Sequence, residues 1–317
     1  FPKNPELTID EWKTHITHLL ELGVTSIAFT GGEPLLKEGI QDIIAHAARL
    51  KAHVITTQGN GLVVQQRPPK LFLISNGALV DDKVLALCRT YGLHLSMSLP
   101  GLKSYSYHTQ SGSPDTILEN FRRAKTYGLQ TTVNIAVTRK NIDELSGTIA
   151  EALLAGADSL LINRFLPGGR GLAFAKDLTL DVAQVNRMLD IAEEVLAAAN
   201  RFGHVGTELP RCCVYRRDYR HLAVGNRCAA AQEFFVVGPD GHVRTCNHSP
   251  RVLEHVSQIE KLKDNPYWTQ FAFRDYHPTM CQTCTELFDC DGGCREGAHV
   301  LYGDPSAPDM LLAPDHR

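Results

Sequence analysis

Four cysteines lie close together near the carboxyl end of the chain. Two residues separate Cys281 from Cys284. Five more residues lead to Cys290, and three more lead to Cys294. A two-residue spacing lets neighbouring thiolates reach one metal centre, as in many zinc and iron–sulfur sites. The glycine pair just before Cys294 allows sharp turns beside a ligand, because glycine tolerates positive φ. The clustering therefore predicts a metal site in this segment.

A second motif with chemical potential is Gly31-Gly32-Glu33-Pro34, which follows a short apolar segment that predicts a strand at residues 26–30. Parallel α/β folds place their active sites at the carboxyl ends of strands. The two glycines let the backbone approach a ligand closely, and Glu33 adds an anion able to hold an amino group. The alternative is a plain strand-to-helix turn, in which glycine and proline are common.

The composition limits the class of protein. A chain of 317 residues is expected to form one large or two smaller domains. An apolar content of 43% and a charged content of 21% are typical of a soluble globular protein. A net charge of −3 gives no general attraction to nucleic acid or to an anionic membrane, and no apolar run is long enough to span a bilayer.

The cysteine count points to a reducing compartment. The nine cysteines are an odd number, and six of them lie between Cys228 and Cys294. The first five residues lack the apolar core of a secretion signal. We therefore expect a cytoplasmic protein with metal thiolates rather than disulfides.

Strand and helix patterns alternate through the first two thirds of the chain, which predicts a parallel sheet wrapped by helices. The five predicted strands cover residues 26–30, 71–75, 93–99, 131–137 and 159–163. The opening helix has no strand before it, so we expect an upstream strand and loop beyond the printed residues. Residues 53–70 predict a hairpin or extended insertion. A boundary near residue 204 separates a barrel core, 1–203, from a cysteine-rich domain, 204–317. Within that domain, residues 234–243 predict a hairpin.

Three helix starts are predicted from capping residues. Thr8 with Glu11 forms a capping box, and Ser113 caps a helix that begins with a proline. Asn141 is expected to cap the next helix, with Glu144 in the capping-box position.

The two motifs together resemble those of radical S-adenosylmethionine (SAM) enzymes that carry a C-terminal SPASM domain. In that family the Gly-Gly-Glu-Pro motif binds the amino group of the methionine moiety of SAM. The SPASM pattern also fits upstream, since twelve residues separate Cys228 from Gly241 and four separate Gly241 from Cys246. The resemblance implies a partial (β/α)6 barrel, similar to a TIM barrel, followed by a small domain that holds auxiliary iron–sulfur clusters.

The resemblance also implies the ligands of the cofactors. The expected ligands of the first auxiliary [4Fe-4S] cluster are Cys228, Cys246, Cys294 and either Cys213 or Cys212, and those of the second are Cys281, Cys284 and Cys290. The expected SAM contacts are Gly31, Gly32 and Glu33 at the amino group, Ser75, Asn76 and Ser98 at the methionine carboxylate or ribose, and Asn134 on the adenosyl side.

The chain departs from the family pattern in three places. The Cys-x3-Cys-x2-Cys motif of the catalytic cluster is not in the printed sequence, and we expect it upstream, after the missing strand. No cysteine follows Cys294 in the printed residues. The open iron position is then expected to take substrate, solvent or a ligand such as His299. Pro100 stands where many relatives have an aspartate.

By resemblance, the enzyme cleaves SAM to a 5′-deoxyadenosyl radical that removes a hydrogen atom from the substrate. Enzymes with SPASM domains most often modify peptides, so the expected reaction is crosslinking, epimerisation or oxidation of a ribosomal peptide. A ferredoxin or flavodoxin would supply electrons, and neither nucleic acid nor a membrane is an expected partner. The alternatives are radical chemistry on a small molecule, such as a tetrapyrrole or sugar, and a non-catalytic iron–sulfur or zinc module.

Overall fold

The computed structural model of the chain describes residues 5–58 and 61–312. Its helices are α1 (Ile9–Glu21), α2 (Ile40–Arg49), α3 (Asp82–Tyr91), α4 (Tyr105–His108), α5 (Pro114–Thr126), α6 (Leu145–Ala155), α7 (Ala175–Leu178), α8 (Val182–Ala199), α9 (Pro266–Ala272) and α10 (Arg295–Tyr302). Within those two ranges, none of the helices has the length and apolar character needed to cross a membrane.

The strands divide into one large sheet and two hairpins. They are β1 (Ser26–Phe29), β2 (Ala52–Gln58), β3 (Gly61–Arg67), β4 (Lys70–Ser75), β5 (His94–Ser98), β6 (Thr131–Val137), β7 (Ser159–Arg164), β8 (Phe202–Val205), β9 (Leu222–Val224), β10 (Val236–Val237) and β11 (Val243–Arg244). Seven of them form a sheet in the order β1-β4-β5-β6-β7-β8-β9. The pairs β1–β4, β4–β5, β7–β8 and β8–β9 are parallel. The predicted α/β class with a partial parallel barrel is confirmed.

The sheet contains two strands that the sequence pattern does not predict. They are β8 and β9, which pair in parallel from Gly203↔Leu222 to Val205↔Val224. Strand β8 crosses the predicted boundary between residues 203 and 204, and the sheet continues into the segment assigned to the cysteine-rich domain. The division of the chain at residue 204 stays a prediction.

Both predicted hairpins form. Strands β2 and β3 are antiparallel, from Ala52↔Arg67 to Gln58↔Gly61, so the hairpin interpretation of residues 53–70 is confirmed. The predicted turn at residues 59 and 60 lies outside the described residues. Strands β10 and β11 pair antiparallel through Val237↔Val243, as the Pro-Asp-Gly turn between them predicts.

The contacts divide the chain into two compact units. The first unit comprises the chain up to Leu99 together with Thr109–Val133 and Ala152–Asp158. The second comprises Pro100–His108, Asn134–Glu151 and the chain from Ser159 onward. The two units are described in turn.

In the first unit, alternate residues of the strands are buried. Leu73, Leu95 and Met97 are fully buried, whereas their neighbours Phe72 and Ile74 are half-buried. A period of two places such residues on opposite faces of the sheet. Burying a side chain of this size stabilises the fold by about 1.5–3 kcal/mol.

In the second unit, helix α8 shows helical periodicity. Val185, Leu189, Ala192 and Leu196 repeat at intervals of three and four residues, and all four are fully buried. Asp181 caps the helix, and its carboxylate accepts the backbone N–H of the third helical residue at 2.8 Å.

Two of the predicted helix caps form, and one is wrong. Thr8 and Glu11 make the capping box of α1, and Ser113 caps α5. Asn141 makes no capping bond to the helical turn that follows it. Its side chain instead accepts the Thr138 N–H at 2.8 Å and donates to the Pro100 carbonyl at 2.6 Å. The polar side chain has a tertiary partner, which a local pattern does not reveal.

Candidate functional site

The Gly-Gly-Glu-Pro motif lies directly after strand β1 with its backbone open to a ligand. Gly31 has φ +137°, a conformation that favours glycine. A Cβ atom added to Gly31 or to Gly32 would meet no other atom within 4 Å. Both residues are exposed. A ligand can therefore reach the main chain at these two glycines.

Glu33 ties the end of β1 to the end of β4. Its Oε1 accepts the Ser75 hydroxyl at 2.8 Å, and its Oε2 accepts the Asn76 N–H at 2.8 Å. Oε1 also accepts the Leu35 N–H at 3.2 Å and so caps the short turn Pro34–Leu36. The structure therefore brings the predicted residues Glu33, Ser75 and Asn76 together. A carboxylate offers about four acceptor positions, so these bonds leave room for one further donor.

Strand β5 carries a polar residue that the sequence argument missed. Ser98, a predicted site residue, ends this strand, and Ser96 lies two positions earlier. Ser96 is 6% exposed, and within the described ranges its hydroxyl has no hydrogen-bond partner. Successive serines at a spacing of two share a face of the strand. That alternation is the signal that could have identified Ser96 as a second candidate contact.

Asn134 belongs to the second unit, where it meets another asparagine. The Asn163 amide donates to the Asn134 side-chain oxygen at 3.5 Å. The buried Oδ1 of Asn163 has no hydrogen-bond partner among the residues that the structure describes. A Cβ on Gly206 would lie 2.6 Å from that oxygen. The pair leaves polar atoms free for a ligand on this face of β6 and β7.

The loop after β5 is held by the carboxylate of Glu144. Its Oε2 accepts the N–H of Lys103 at 2.6 Å and that of Leu102 at 3.2 Å, and its Oε1 accepts the N–H of Ser104 at 2.9 Å. The Ser104 hydroxyl also bonds to it. Burial raises the pKa of Glu144, but the bonds from Ser104, Lys103 and Leu102 outweigh it and hold the pKa below its usual value. The carboxylate therefore stays ionised and fixes the loop.

Replacing Glu144 with alanine is expected to lower the free energy of unfolding by about 1.5–3 kcal/mol, because hydrogen bonds to a charged group are lost. Urea unfolding followed by circular dichroism measures the change. The matched control is Asp143→Ala, one residue earlier. Asp143 pairs with Arg187 at 2.8 Å, but both side chains are more than half exposed, and such pairs contribute less than about 1 kcal/mol. Equal losses in the two variants would contradict the role given to Glu144.

Three predicted ligands of the first cluster lie near one another. Cys228, Cys246 and Cys294 are all buried. Burial raises the pKa of each thiol, that of Cys294 to about 12, and the Cys294 thiol raises the pKa of the other two further. Metal binding must therefore displace protons from these thiols.

Backbone N–H groups point at several cysteine sulfurs. The Sγ of Cys246 accepts the His248 N–H at 3.3 Å, and the Sγ of Cys294 accepts the Gly297 N–H at 3.3 Å at the start of α10. The Sγ of Cys290 accepts an N–H at 3.3 Å from the glycine two residues later. Hydrogen bonds to sulfur stabilise thiolates and tune the potential of iron–sulfur clusters. The surroundings of these three cysteines fit a cluster.

Two buried aspartates hold the backbone of two of these cysteines. Asp291, which is fully buried, accepts the Cys228 N–H at 2.5 Å and pairs with Arg274. Asp309 accepts the Cys294 N–H at 2.8 Å and forms a bidentate pair with Arg164 at 2.9 and 2.6 Å. Neither aspartate is predicted from the sequence. Proximity to cysteines in the sequence would have suggested Asp291, whereas nothing local indicates Asp309.

The second group of cysteines surrounds a glycine turn. Burial raises the pKa of Cys281, and the neighbouring thiol of Cys290 raises it further, as Cys284 does to a smaller extent. Gly292 has φ +69°, and a Cβ there would lie 3.2 Å from the Cys281 sulfur. Only glycine fits this turn without strain. The structure therefore brings the three predicted ligands of the second cluster into one neighbourhood.

Cys213 is 5% exposed and directs its sulfur at the Leu311 carbonyl, 3.8 Å away. Cys212, the other candidate for the same role, is exposed.

Over residues 5–58 and 61–312, no three His, Cys, Asp or Glu side chains converge closely enough to hold a single metal ion. The thiolates of a four-iron cluster stand further apart than those around one ion. The surroundings of each cysteine therefore indicate better whether it could hold a cluster.

Comparison with known proteins identifies the first part of the chain. Residues 1–152 match the family model of the radical SAM superfamily. These residues form a radical SAM domain. The chain is 28% identical over 317 residues to a PqqA peptide cyclase of Streptomyces rochei, a match that covers 97% of this chain and 81% of the relative. A PqqA peptide cyclase of Bradyrhizobium diazoefficiens is 25% identical and is covered to 80%. The predicted resemblance and the prediction of a radical SAM enzyme are confirmed.

Solved structures share the fold of this chain. Streptococcus suis SuiB superposes with a TM-score of 0.71 at 15% identity, over 97% of this chain and 71% of SuiB. SuiB bound to its precursor peptide SuiA gives a TM-score of 0.68 at 13% identity, over 96% and 69% of the two chains. The enzyme anSMEcpe with bound AdoMet and a peptide gives 0.66 at 17% identity, over 95% and 83%. At these identities the likeness shows the fold alone.

Proposed function

We propose that this radical SAM enzyme modifies a ribosomally made peptide, with SAM at the strand ends of the barrel and two auxiliary [4Fe-4S] clusters in residues 204–317. The observation that carries the proposal is the pair of cysteine groups. One group is buried, with backbone N–H groups directed at its sulfurs and aspartates holding its backbone. A structural role alone does not require sulfurs to be arranged in this way.

The proposed cofactor contacts are those that the family resemblance implies. The first cluster would be held by Cys213, Cys228, Cys246 and Cys294, the second by Cys281, Cys284 and Cys290, and SAM by Gly31, Gly32, Glu33, Ser75, Asn76, Ser98 and Asn134. Bound SAM and its reducing cluster would supply the 5′-deoxyadenosyl radical that removes a hydrogen atom from the substrate. Glu33 would hold the methionine amino group by charge, and the open glycine backbone would admit the methionine moiety.

A peptide is the proposed substrate for two reasons. Several relatives that match nearly the whole chain are named PqqA peptide cyclase. Two solved structures with this fold hold peptides, SuiA in SuiB and the Cp18Cys peptide in anSMEcpe. The reductant would be a ferredoxin or flavodoxin in the cytoplasm.

The test is anaerobic assay of the full-length protein with SAM and dithionite. The proposal expects 5′-deoxyadenosine to accumulate and a peptide encoded beside the gene to change mass. Loss of two hydrogens would indicate oxidation or crosslinking. Absence of 5′-deoxyadenosine would refute the enzyme proposal. Its formation without a mass change in any candidate peptide would refute the peptide substrate and favour a small molecule. Metal analysis that returned only zinc would refute the clusters.

A further inference from the structure

Two adjacent cysteines, Cys212 and Cys213, present their thiols to different surroundings. They belong to the short 3₁₀ turn Arg211–Cys213. Such a turn has three residues per revolution, so consecutive side chains point about 120° apart. Cys213 is buried, with its sulfur beside the Leu311 carbonyl, whereas Cys212 is exposed. The two thiols therefore differ in burial, although they are in contact with each other.

The turn lies against the loop that carries the second group of cysteines. The Arg211 N–H donates to the Cys290 sulfur at 3.4 Å. The Arg211 side chain also reaches that loop, where its Nε lies 2.7 Å from a carboxylate oxygen of Glu286. A backbone contact to the sulfur of one proposed ligand and an ion pair to the same loop hold the turn in place. The residue next in sequence to Arg211 is Cys212.

Cys212 itself lies near this group. The preceding residue, Arg211, donates its backbone N–H to the Cys290 sulfur, which places the Cys212 backbone beside that proposed ligand. A [4Fe-4S] cluster held by cysteine takes four thiolates, and Cys281, Cys284 and Cys290 supply three. Cys212 is a fourth thiol in the same neighbourhood.

His299, the other side chain considered for this position, is engaged elsewhere. Its Nδ1 lies 2.6 Å from the Tyr267 hydroxyl and 3.4 Å from Glu296. Glu296 also accepts a hydrogen bond from the hydroxyl of Thr245, the residue before Cys246. His299 therefore faces the first group of cysteines and not the second.

We propose that Cys212 is a ligand of the second auxiliary cluster, whereas Cys213 serves the first, so that one turn of the backbone joins the two clusters. The inference rests on the proposed function, because it presupposes that both clusters exist. It assigns each thiol of the pair to a different cluster. Cys212, which the family pattern leaves without a role, becomes a cluster ligand.

The test compares cysteine variants of the full-length protein after anaerobic reconstitution. Iron and sulfide content and the electron paramagnetic resonance (EPR) spectrum of the reduced protein are measured. Cys212→Ala is expected to lose about four iron atoms, one cluster, together with the same EPR signal that Cys284→Ala loses. Cys213→Ala is expected to lose the signal that Cys228→Ala loses, which is that of the first auxiliary cluster. Cys88→Ala, which removes a buried thiol from helix α3, is the control and is expected to keep the signals of both auxiliary clusters.

A second variant keeps the test informative if the alanine protein folds poorly. Cys212→Ser retains an oxygen ligand, so the cluster is expected to remain with a shifted reduction potential. The inference is overturned if Cys212→Ala keeps the iron content and both signals of the parent, or if it loses the signal that Cys228→Ala loses. A parent protein without any iron–sulfur cluster would instead refute the proposed function, so the two failures are distinguishable.

Discussion

The free energy of unfolding is expected to fall by about 3–5 kcal/mol when Asp309 is replaced by alanine, because the change leaves a buried cation without its partner. Arg164 and Asp309 have side chains that are only 1% and 2% exposed, and they bond through both oxygens. Although burial raises the pKa of Asp309, the Arg164 guanidinium outweighs it and holds the pKa below its usual value. Urea unfolding followed by circular dichroism measures the loss.

The control is Asp304→Ala, in the same segment. Asp304 is exposed and bonds only locally, to the Ser306 N–H at 2.8 Å, so its removal is expected to cost less than about 1 kcal/mol. The double variant Arg164→Met, Asp309→Leu removes both charges and is expected to recover most of the stability. If Asp309→Ala unfolds no more easily than Asp304→Ala, the buried pair does not contribute as argued.

The pH dependence of this pair has a definite sign. A carboxyl whose pKa is lowered in the folded state binds its proton more readily when unfolded. The contribution of Asp309 is therefore complete above the unfolded pKa, about 3.9, and is lost as the pH falls through the lower folded pKa. Asp309→Ala should remove that part of the acid dependence.

Asp309 also supports the backbone of Cys294, a proposed ligand of the first cluster. Its Oδ2 accepts the Cys294 N–H, and a Cβ on Gly293 would lie 2.3 Å from that same oxygen. The carboxylate therefore fixes the backbone on both sides of the peptide that presents the Cys294 sulfur. The double variant restores volume but not this bond, so stability is expected to recover further than the iron content of the first cluster.

The spacing of cysteines predicts groups of thiols, but it does not predict what supports them. Arg164 is 145 residues from Asp309, and Cys228 is 63 residues from Asp291. Aspartates in loops follow no local period, so only the tertiary structure selects the two that face a backbone N–H. The same reasoning explains why Glu144 serves a distant loop although its spacing suggests a helix cap.

The two unpredicted strands are missed for a related reason. Strand β8 has four residues, among them a glycine and a histidine, and β9 has three, so neither is long enough to show alternation. Their positions depend on contacts instead. The carboxylate of Glu193 on helix α8 accepts the N–H groups of Arg220, His221 and Leu222 at 2.9 Å each. A buried acid places β9 beside β8, and no local pattern marks that acid.

The affinity for SAM is expected to fall by roughly 10- to 100-fold when Glu33 is replaced by glutamine, because a hydrogen bond to a charged group contributes about 1.5–3 kcal/mol. Glutamine keeps one oxygen for the Ser75 hydroxyl or the Asn76 N–H, so the tie between β1 and β4 is only partly lost. Anaerobic calorimetry of the full-length protein measures the affinity. Glu38→Gln, five residues later and exposed, is the control and is expected to leave it unchanged.

The competing explanation gives Glu33 a structural role only, as the acceptor that caps a turn and joins two strand ends. That role involves the bonds from Ser75, Asn76 and Leu35. Losing these bonds would lower the free energy of unfolding. Glu33→Ala removes all three bonds, whereas Glu33→Gln removes chiefly the charge. If stability falls in both variants while the affinity for SAM stays that of the parent, the carboxylate only joins the strands. If Glu33→Gln weakens SAM binding with little loss of stability, the charge faces the amino group.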